Sequence, residues 1–173
     1  MKSISSFVLL LLLIASTKAQ MKDAEGNRYK TVKIGNQTWM AENLNVGMFS
    51  NGEKIPQARS RQEWEAFVDQ KKPAWAYYAF DSIDAQSMGK LYNYHAVIDT
   101  RGLAPKDWII PSKQDWKQLI MFVGGDSIAG KKLKSKTGWN RQWLVQEDSS
   151  TTNPNGIDSY GFNARPNSED YGS

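Results

Sequence analysis

The 173-residue chain carries 22 Lys and Arg against 18 Asp and Glu, a net charge of +4, and contains no cysteine. It therefore forms no disulfide and offers no cysteine for lipid attachment. Its nearly balanced charge gives no electrostatic reason to expect nucleic acid binding.

The N-terminal segment has the three parts of a secretory signal peptide. Lys2 precedes an apolar run at residues 7–15, and Thr17 and Ala19 occupy the −3 and −1 positions of a cleavage site. The run is too short for a membrane span, which takes about 20 apolar residues. We expect residues 1–19 to be cleaved after Ala19, which lowers the net charge to +2 and delivers the protein outside the cell, to the periplasm or to the cell surface.

The remaining residues, 20–173, suit a single domain, and no second apolar run predicts a transmembrane segment. They begin with a hairpin pattern. Residues 28–34 alternate polar and apolar side chains, Gly35-Asn36 supplies a two-residue turn, and residues 37–41 resume as the second arm.

A short amphipathic helix is predicted at residues 61–70, because residues 60–63 form a capping box and apolar residues follow at helical spacing. Two aromatic segments come next. Residues 75–80 are predicted to form a strand, whereas residues 90–97 fit either a helix or a strand.

The clearest helix pattern begins after Ser112. Ser112 and Asp115 form a second capping signal, and Gly124-Gly125 is typical of a helix end. The side chains predicted to share its buried face are Trp116, Leu119, Ile120 and Val123. A further short helix is predicted around residues 127–134, and the chain from residue 139 onwards is rich in turn residues.

Aromatic side chains are expected to supply much of the core, since the domain has no disulfides. The tryptophans predicted to be buried are Trp39, Trp64, Trp108 and Trp116. Trp143 lies in a polar, turn-rich stretch and is predicted to be exposed.

Eight segments, taken in order, resemble the Fibrobacter succinogenes major paralogous domain, a family of exported bacterial domains of largely unassigned function. They span nearly all of residues 23–166, and they include Trp39-Met40-Ala41-Glu42-Asn43-Leu44, Gly89-Lys90-Leu91-Tyr92-Asn93-Tyr94 and Trp108-Ile109-Ile110-Pro111-Ser112. Similar domains continue beyond a Gly-Phe-x-Ala-x-Pro stretch, here residues 161–166, into closing strands. The resemblance therefore implies a C-terminally truncated product.

The stretch from Trp108 to Trp116 also resembles the helix entry of formylglycine-generating enzyme domains. By that analogy the fold is expected to be α+β and C-type-lectin-like, with antiparallel strands, two or three short helices and the C-terminal strands missing. The oxidation performed by those enzymes uses active-site cysteines, so the chain cannot carry it out.

No catalytic motif stands out. The P-loop spacing at residues 125–132 follows a helix and has Lys132 where a magnesium-binding hydroxyl belongs, so it indicates a helix stop. His95 is the single histidine, and its ring is expected to be packed or surface-facing and not catalytic. The carboxylates available for a two-acid hydrolase are Glu42, Asp81, Asp84 and Asp107, and their spacing pairs none of them.

Candidate binding residues come from two patterns. Stacking surfaces for sugar rings are predicted from Trp75, Tyr77, Tyr78, Trp139 and Trp143. A candidate calcium site consists of Asn153, Asn155 and Asp158, which lie in an oxygen-rich loop; no other cofactor is predicted.

The sequence thus favours a secreted or cell-surface binding module for a carbohydrate or a surface protein, with no role in nucleic acid binding. An exported hydrolase that uses paired carboxylates is the alternative.

Overall fold

A computed structural model of the chain describes residues 21–80, 88–139 and 155–165. These residues combine short helices with short antiparallel strands, which confirms the α+β class. The six strands are β1 (Met21–Lys22), β2 (Arg28–Tyr29), β3 (Thr31–Ile34), β4 (Gln37–Met40), β5 (Trp75–Ala76) and β6 (Leu91–Tyr92). They pair antiparallel as β1 with β2, β3 with β4, and β5 with β6.

Four α-helices are described: α1 (Arg61–Asp69), α2 (Tyr94–Val97), α3 (Lys113–Val123) and α4 (Asp126–Leu133). The bounds of α1 and α4 lie within one residue of the predicted bounds. Helix α3 begins and ends at its predicted signals, Ser112 and Gly124. None of the helices in the described ranges is long and apolar enough to cross a membrane.

The predicted hairpin is confirmed at β3 and β4. Ile34 pairs with Gln37, and Gly35 occupies the turn with φ +60, a conformation that favours glycine. The first arm is shorter than predicted, because Arg28–Tyr29 leaves this ladder and pairs with Met21–Lys22 instead.

The predicted strand at residues 75–80 is wrong beyond its first two residues. After β5 the chain enters a 3₁₀ turn at Tyr78–Phe80, where Ala79 and Phe80 have φ near +51 and +57. Such values are incompatible with extended backbone.

The segment at residues 90–97, which fits a helix or a strand by pattern, contains both. Asn93 separates β6 from α2 and caps the helix by accepting a hydrogen bond from Ala96 N at 2.9 Å.

Helix α3 has both predicted end signals. Ser112 Oγ accepts from Asp115 N, and the Asp115 carboxylate accepts from Ser112 N at 2.8 Å, so the capping box is complete. Gly124 ends the helix in the left-handed region, with φ +117.

Two buried clusters form the core of the described residues. The first joins the hairpin to α3 and α4 and consists of Ile34, Trp39, Leu119, Val123, Ala129 and Leu133. The second lies under the loop that follows the hairpin and consists of Val46, Phe49, Ile55, Ala96 and Leu103.

The predicted burial of the tryptophans is confirmed only in part. Trp39 is buried as predicted, and Trp64 and Trp108 are partly buried. The prediction for Trp116 is wrong, because 41% of its surface remains exposed although it shares a helix with the fully buried Leu119. Trp116 lies in the first turn of α3, and its ring contacts those of Trp39 and Phe162.

An ion cluster beside the second core predicts a pH-dependent stability. Arg101 donates to Asp99 at 2.8 Å and to Glu53 at 2.7 Å, and the hydrogen bonds from Arg101 lower the pKa of Asp99 from 3.8 to about 2. Because this carboxyl has a lower pKa in the folded state, its stabilising contribution is present above pH 3.8 and is lost as the pH falls towards 2.

Urea unfolding of the wild type and of Asp99→Asn should therefore show a less stable variant at about pH 6 and converging stabilities near pH 2. Asp69→Asn is the control, since Asp69 forms no ion pair with any described residue. A difference between wild type and Asp99→Asn that stays constant with pH would contradict the ion-pair explanation.

Candidate functional site

A cleft of about 590 Å³ opens between the hairpin, the N-terminal end of α3 and the returning segment at residues 155–165. Its aromatic lining comes from Trp39, Trp108, Trp116 and Phe162. We refer to it as the aromatic cleft.

Three rings in the aromatic cleft contact one another. The Trp39 and Trp116 ring centroids are 4.8 Å apart, and Phe162 lies 5.8 Å from Trp39 and 6.2 Å from Trp116. Strand β4 places Trp39 with its ring in the first core, and the capping box fixes the helical turn that bears Trp116. The exposed part of Trp116 therefore rests on a buried ring, as a rigid stacking surface requires.

Polar groups lie beside the rings. Gln37 Nε2 donates to the Asp115 carbonyl at 3.2 Å, which ties the hairpin to α3. Hydrogen bonds from Ser112 lower the pKa of Asp115, so this carboxylate stays ionised. Glu42 also lines the cleft, and its carboxylate accepts from Lys30 N at 2.9 Å.

A second cavity of about 300 Å³ adjoins the aromatic cleft, and we refer to it as the polar pocket. Five residues line both cavities: Ala41, Glu42, Asn43, Asn163 and Arg165. The polar pocket adds the amide side chains of Asn27 and Asn45 together with Arg28 and Tyr29. The two cavities therefore form one continuous surface, aromatic at one end and amide-rich at the other.

A hydrogen-bond network holds the base of the polar pocket. The Tyr29 hydroxyl donates to Asp23 Oδ2 at 2.6 Å and accepts from Asn45 N at 2.9 Å. Burial, followed by the hydrogen bond to Asp23, raises the pKa of Tyr29, so its hydroxyl remains a donor at physiological pH. Asn27 donates to the same carboxylate at 2.8 Å.

Lys90 extends this network towards the second core. Its ammonium donates to Asn45 O at 2.8 Å, lies 3.8 Å from Glu25 Oε2 and sits 4.6 Å from the Trp75 ring centroid. Burial lowers the pKa of Lys90, and the nearby Glu25 partly offsets that effect. The loop that carries Asn45 is thus fixed by several independent contacts.

Two buried side-chain atoms in the described part of the chain have no hydrogen-bond partner: Trp39 Nε1 and Asn45 Oδ1. An unsatisfied buried polar group costs about 1–3 kcal/mol, and such groups are uncommon in folded proteins. Trp39 lines the aromatic cleft and Asn45 lines the polar pocket. The unsatisfied groups thus belong to residues of the candidate site.

The predicted stacking residues Trp75, Tyr77 and Tyr78 are partly buried and line neither cavity. Trp75 donates from its indole nitrogen to Ile55 O at 3.0 Å and packs against the second core, with the Tyr77 ring 5.1 Å away. Trp75 therefore has a structural role, and ligand binding by these three residues stays a prediction.

Trp139 is fixed at the C-terminal end of α4. Its indole nitrogen donates to Ser135 Oγ at 3.1 Å and to Ala164 O at 3.2 Å, and Lys134 Nζ lies 4.3 Å from its ring centroid. The remaining predicted stacking residue, Trp143, lies outside the described residues.

The candidate calcium ligands have other partners in the structure. Asn155 Oδ1 accepts from Trp139 N at 2.9 Å, and Asp158 Oδ1 accepts from Asn163 N at 2.8 Å. Asn153 lies outside the described residues, so the calcium site stays a prediction. Within the described ranges, no group of three His, Cys, Asp or Glu residues is placed to hold a metal ion.

Of the carboxylates considered for hydrolysis, Asp81 and Asp84 lie outside the described residues. Glu42 and Asp107 both line the aromatic cleft. His95 lines neither cavity, and its ring lies 5.7 Å from that of Tyr94.

Sequence reasoning missed the grouping of Trp39, Trp116 and Phe162. The sequence predicts Trp39 and Trp116 as core residues, and Phe162 belongs to the Gly-Phe-x-Ala-x-Pro stretch at residues 161–166. A signal was available, since each of the three residues lies in a stretch that resembles known domains: residues 39–44, 108–116 and 161–166. Their contact, however, depends on tertiary packing.

Comparison with known proteins supports the resemblance. The family model described as the Fibrobacter succinogenes major domain matches residues 32–172, most of the chain. No curated protein and no solved structure matches the chain significantly. The matched range includes both core clusters and every aromatic residue of the cleft, and the chain therefore belongs to the Fibrobacter succinogenes major domain family.

Proposed function

We propose that the protein is an exported binding module whose aromatic cleft takes a carbohydrate. The observation that carries this proposal is the partly exposed Trp116 ring, which is backed by Trp39 and Phe162 and bordered by amide and carboxylate groups. Sugar rings have an apolar face and a hydroxyl periphery, so they fit an aromatic surface with hydrogen-bonding groups at its edge.

The rigidity of the site supports binding over a purely structural role. Trp39 is anchored in the core and α3 is capped at the turn that carries Trp116, so little side-chain freedom is lost when a ligand binds.

Replacing Trp116 by alanine should strongly weaken carbohydrate binding. Interface aromatics of this kind contribute about 2 kcal/mol or more, so we expect affinity for neutral glycans to fall at least about 30-fold. The test is to screen the folded mature protein on a glycan array, then titrate each bound glycan by calorimetry against the wild type and Trp116→Ala.

Tyr94→Ala is the matched control, because Tyr94 is 69% exposed and lies outside both cavities. It should bind glycans as the wild type does. Urea unfolding would establish that Trp116→Ala remains folded. Folded protein that binds no glycan on the array would refute the carbohydrate proposal, and so would equal losses of affinity in Trp116→Ala and Tyr94→Ala. A protein ligand captured through the aromatic cleft would then replace the carbohydrate.

The hydrolase alternative has weaker support. Asp115, one of the three acids that line the aromatic cleft, has a lowered pKa and is engaged in helix capping, whereas a general acid requires a raised pKa. Glu42 is held by Lys30. Reducing-sugar release from any glycan that binds, lost in Asp107→Asn, would revive this alternative.

For the fold we propose a C-type-lectin-like arrangement. The order of hairpin and short helices, with residues 155–165 pairing at the end of α4, is compatible with it. An experimental structure that places the segments after α4 away from the hairpin would refute it.

Export follows from the leader-like segment, and we propose cleavage after Ala19. Mass spectrometry of the protein recovered from the native host should give a mature N-terminus at Gln20. Recovery of the intact chain from the cytoplasmic fraction would contradict it.

A further inference from the structure

The polar pocket and the aromatic cleft differ in charge balance, although Glu42 and Arg165 line both. Arg28 and Arg165 line it, and neither guanidinium forms an ion pair within the described residues. Arg101, in contrast, is held by Asp99 and Glu53. Two uncommitted guanidinium groups on one concave surface form a natural site for a carboxylate, because arginine donates to both of its oxygens.

Glu42 is the one carboxylate in the described lining of the polar pocket, and it does not cancel these charges. Glu42 accepts a hydrogen bond from Lys30 N, and its other oxygen lies 3.7 Å from Lys30 Nζ. The amides of Asn27, Asn43 and Asn163 add neutral hydrogen-bonding groups to the same lining.

The aromatic cleft has the opposite bias. Its described lining has three carboxylates, Glu42, Asp107 and Asp115, and one guanidinium, Arg165, and its rings suit an uncharged sugar face. An acidic group on a ligand is therefore unfavourable beside Trp116 and favourable beside Arg28 and Arg165. Asn43 and Asn163 belong to the wall that the two cavities share.

We propose that the site recognises an acidic polysaccharide, with one sugar ring stacked in the aromatic cleft and the carboxylate of a neighbouring uronic acid held in the polar pocket. This inference rests on the proposed carbohydrate function and specifies its ligand class. The carboxylate accepts hydrogen bonds from Arg28 and Arg165, while the ring hydroxyls meet the asparagine amides of the shared wall.

The experiment is calorimetric titration of the mature protein with three probes: a galacturonate tetramer, its methyl ester and a neutral cellotetraose. The methyl ester keeps the shape of the first probe and removes its charge. We expect the acid to bind at least about tenfold more tightly than its ester, a difference of about 1.4 kcal/mol. The preference should shrink as the salt concentration rises, because the arginines are exposed.

Arg28→Gln and Arg165→Gln should remove this preference, because each should lower the affinity for the acid much more than the affinity for the ester. Arg59→Gln is the matched control, since Arg59 is exposed, forms no ion pair with described residues and lines neither cavity. It should retain the preference. Tetraglutamate, a peptide that carries similar charge without a sugar ring, should bind far more weakly than the galacturonate tetramer.

Failure of this inference is distinguishable from failure of the proposed function. Equal, Trp116-dependent binding of acid and ester would overturn the uronate proposal and leave the carbohydrate function in place. Tight tetraglutamate binding would identify a general anion site and also overturn it. Binding of the acid that depends on the arginines but not on Trp116 would support the polar pocket and refute the aromatic cleft. Absence of binding by all probes would refute the uronate proposal.

Discussion

Phe49→Ala is expected to lower the free energy of unfolding by about 3–5 kcal/mol, the usual effect of removing a fully buried phenylalanine ring. Phe49 has no exposed surface and contacts the remainder of the second core cluster. Its ring also lies 4.1 Å below the Arg101 guanidinium, so its loss removes support from the ion cluster. Such a loss is a large fraction of the 5–15 kcal/mol that typically stabilises a domain.

Urea unfolding, followed by tryptophan fluorescence, measures the effect. Phe122→Ala is the control, because this substitution removes the same atoms from a side chain that is 56% exposed. Its effect should be about 1 kcal/mol or less. Equal destabilisation by the two substitutions would show that Phe49 is not in a packed core.

Gly156→Ala is expected to destabilise the protein by about 3 kcal/mol, the upper range for inserted atoms that a packed site cannot accommodate. A Cβ at this position would lie against the Lys134 carbonyl, well inside van der Waals contact. The neighbouring backbone cannot move freely, since Gly156 N donates to Ser135 O at 2.9 Å and Ser135 N donates to Ala164 O at 2.8 Å.

The same substitution should weaken glycan binding, because the displaced segment carries Phe162 into the aromatic cleft. Gly130→Ala is the control. Gly130 lies inside α4 with open space around its Cβ position, so alanine should stabilise the helix by about 0.5–1 kcal/mol. Unchanged unfolding and binding in Gly156→Ala would contradict the close approach of the two segments.

Local sequence signals predicted most helices and the central hairpin. The Gly35-Asn36 turn, the caps at Ser60 and Ser112 and the stop at Gly124 each act within a few residues, so neighbouring residues suffice to identify them. The aromatic stretch at residues 75–80 was mispredicted because β-forming side chains suggested a strand. Positive φ at Ala79 and Phe80 reflects constraints that residue preference does not reveal.

The candidate site was less predictable than the fold. Helical periodicity predicts that Trp116 and Leu119 share a helix face, but it does not reveal how much of each side chain the neighbouring segments cover. The structure leaves Trp116 partly exposed against Trp39 and Phe162. Likewise, the grouping of Arg28 and Arg165 depends on the return of the chain to the hairpin.

The sequence by itself determined the family, the α+β class and the absence of disulfide and thiol chemistry, because these depend on residue identities and their order. The tertiary structure decided which aromatic rings meet, which of them reach solvent and which charges lack a partner. Those properties arise when segments that are distant in the chain pack together, and the free energy of that packing is shared among many contacts that no short motif encodes.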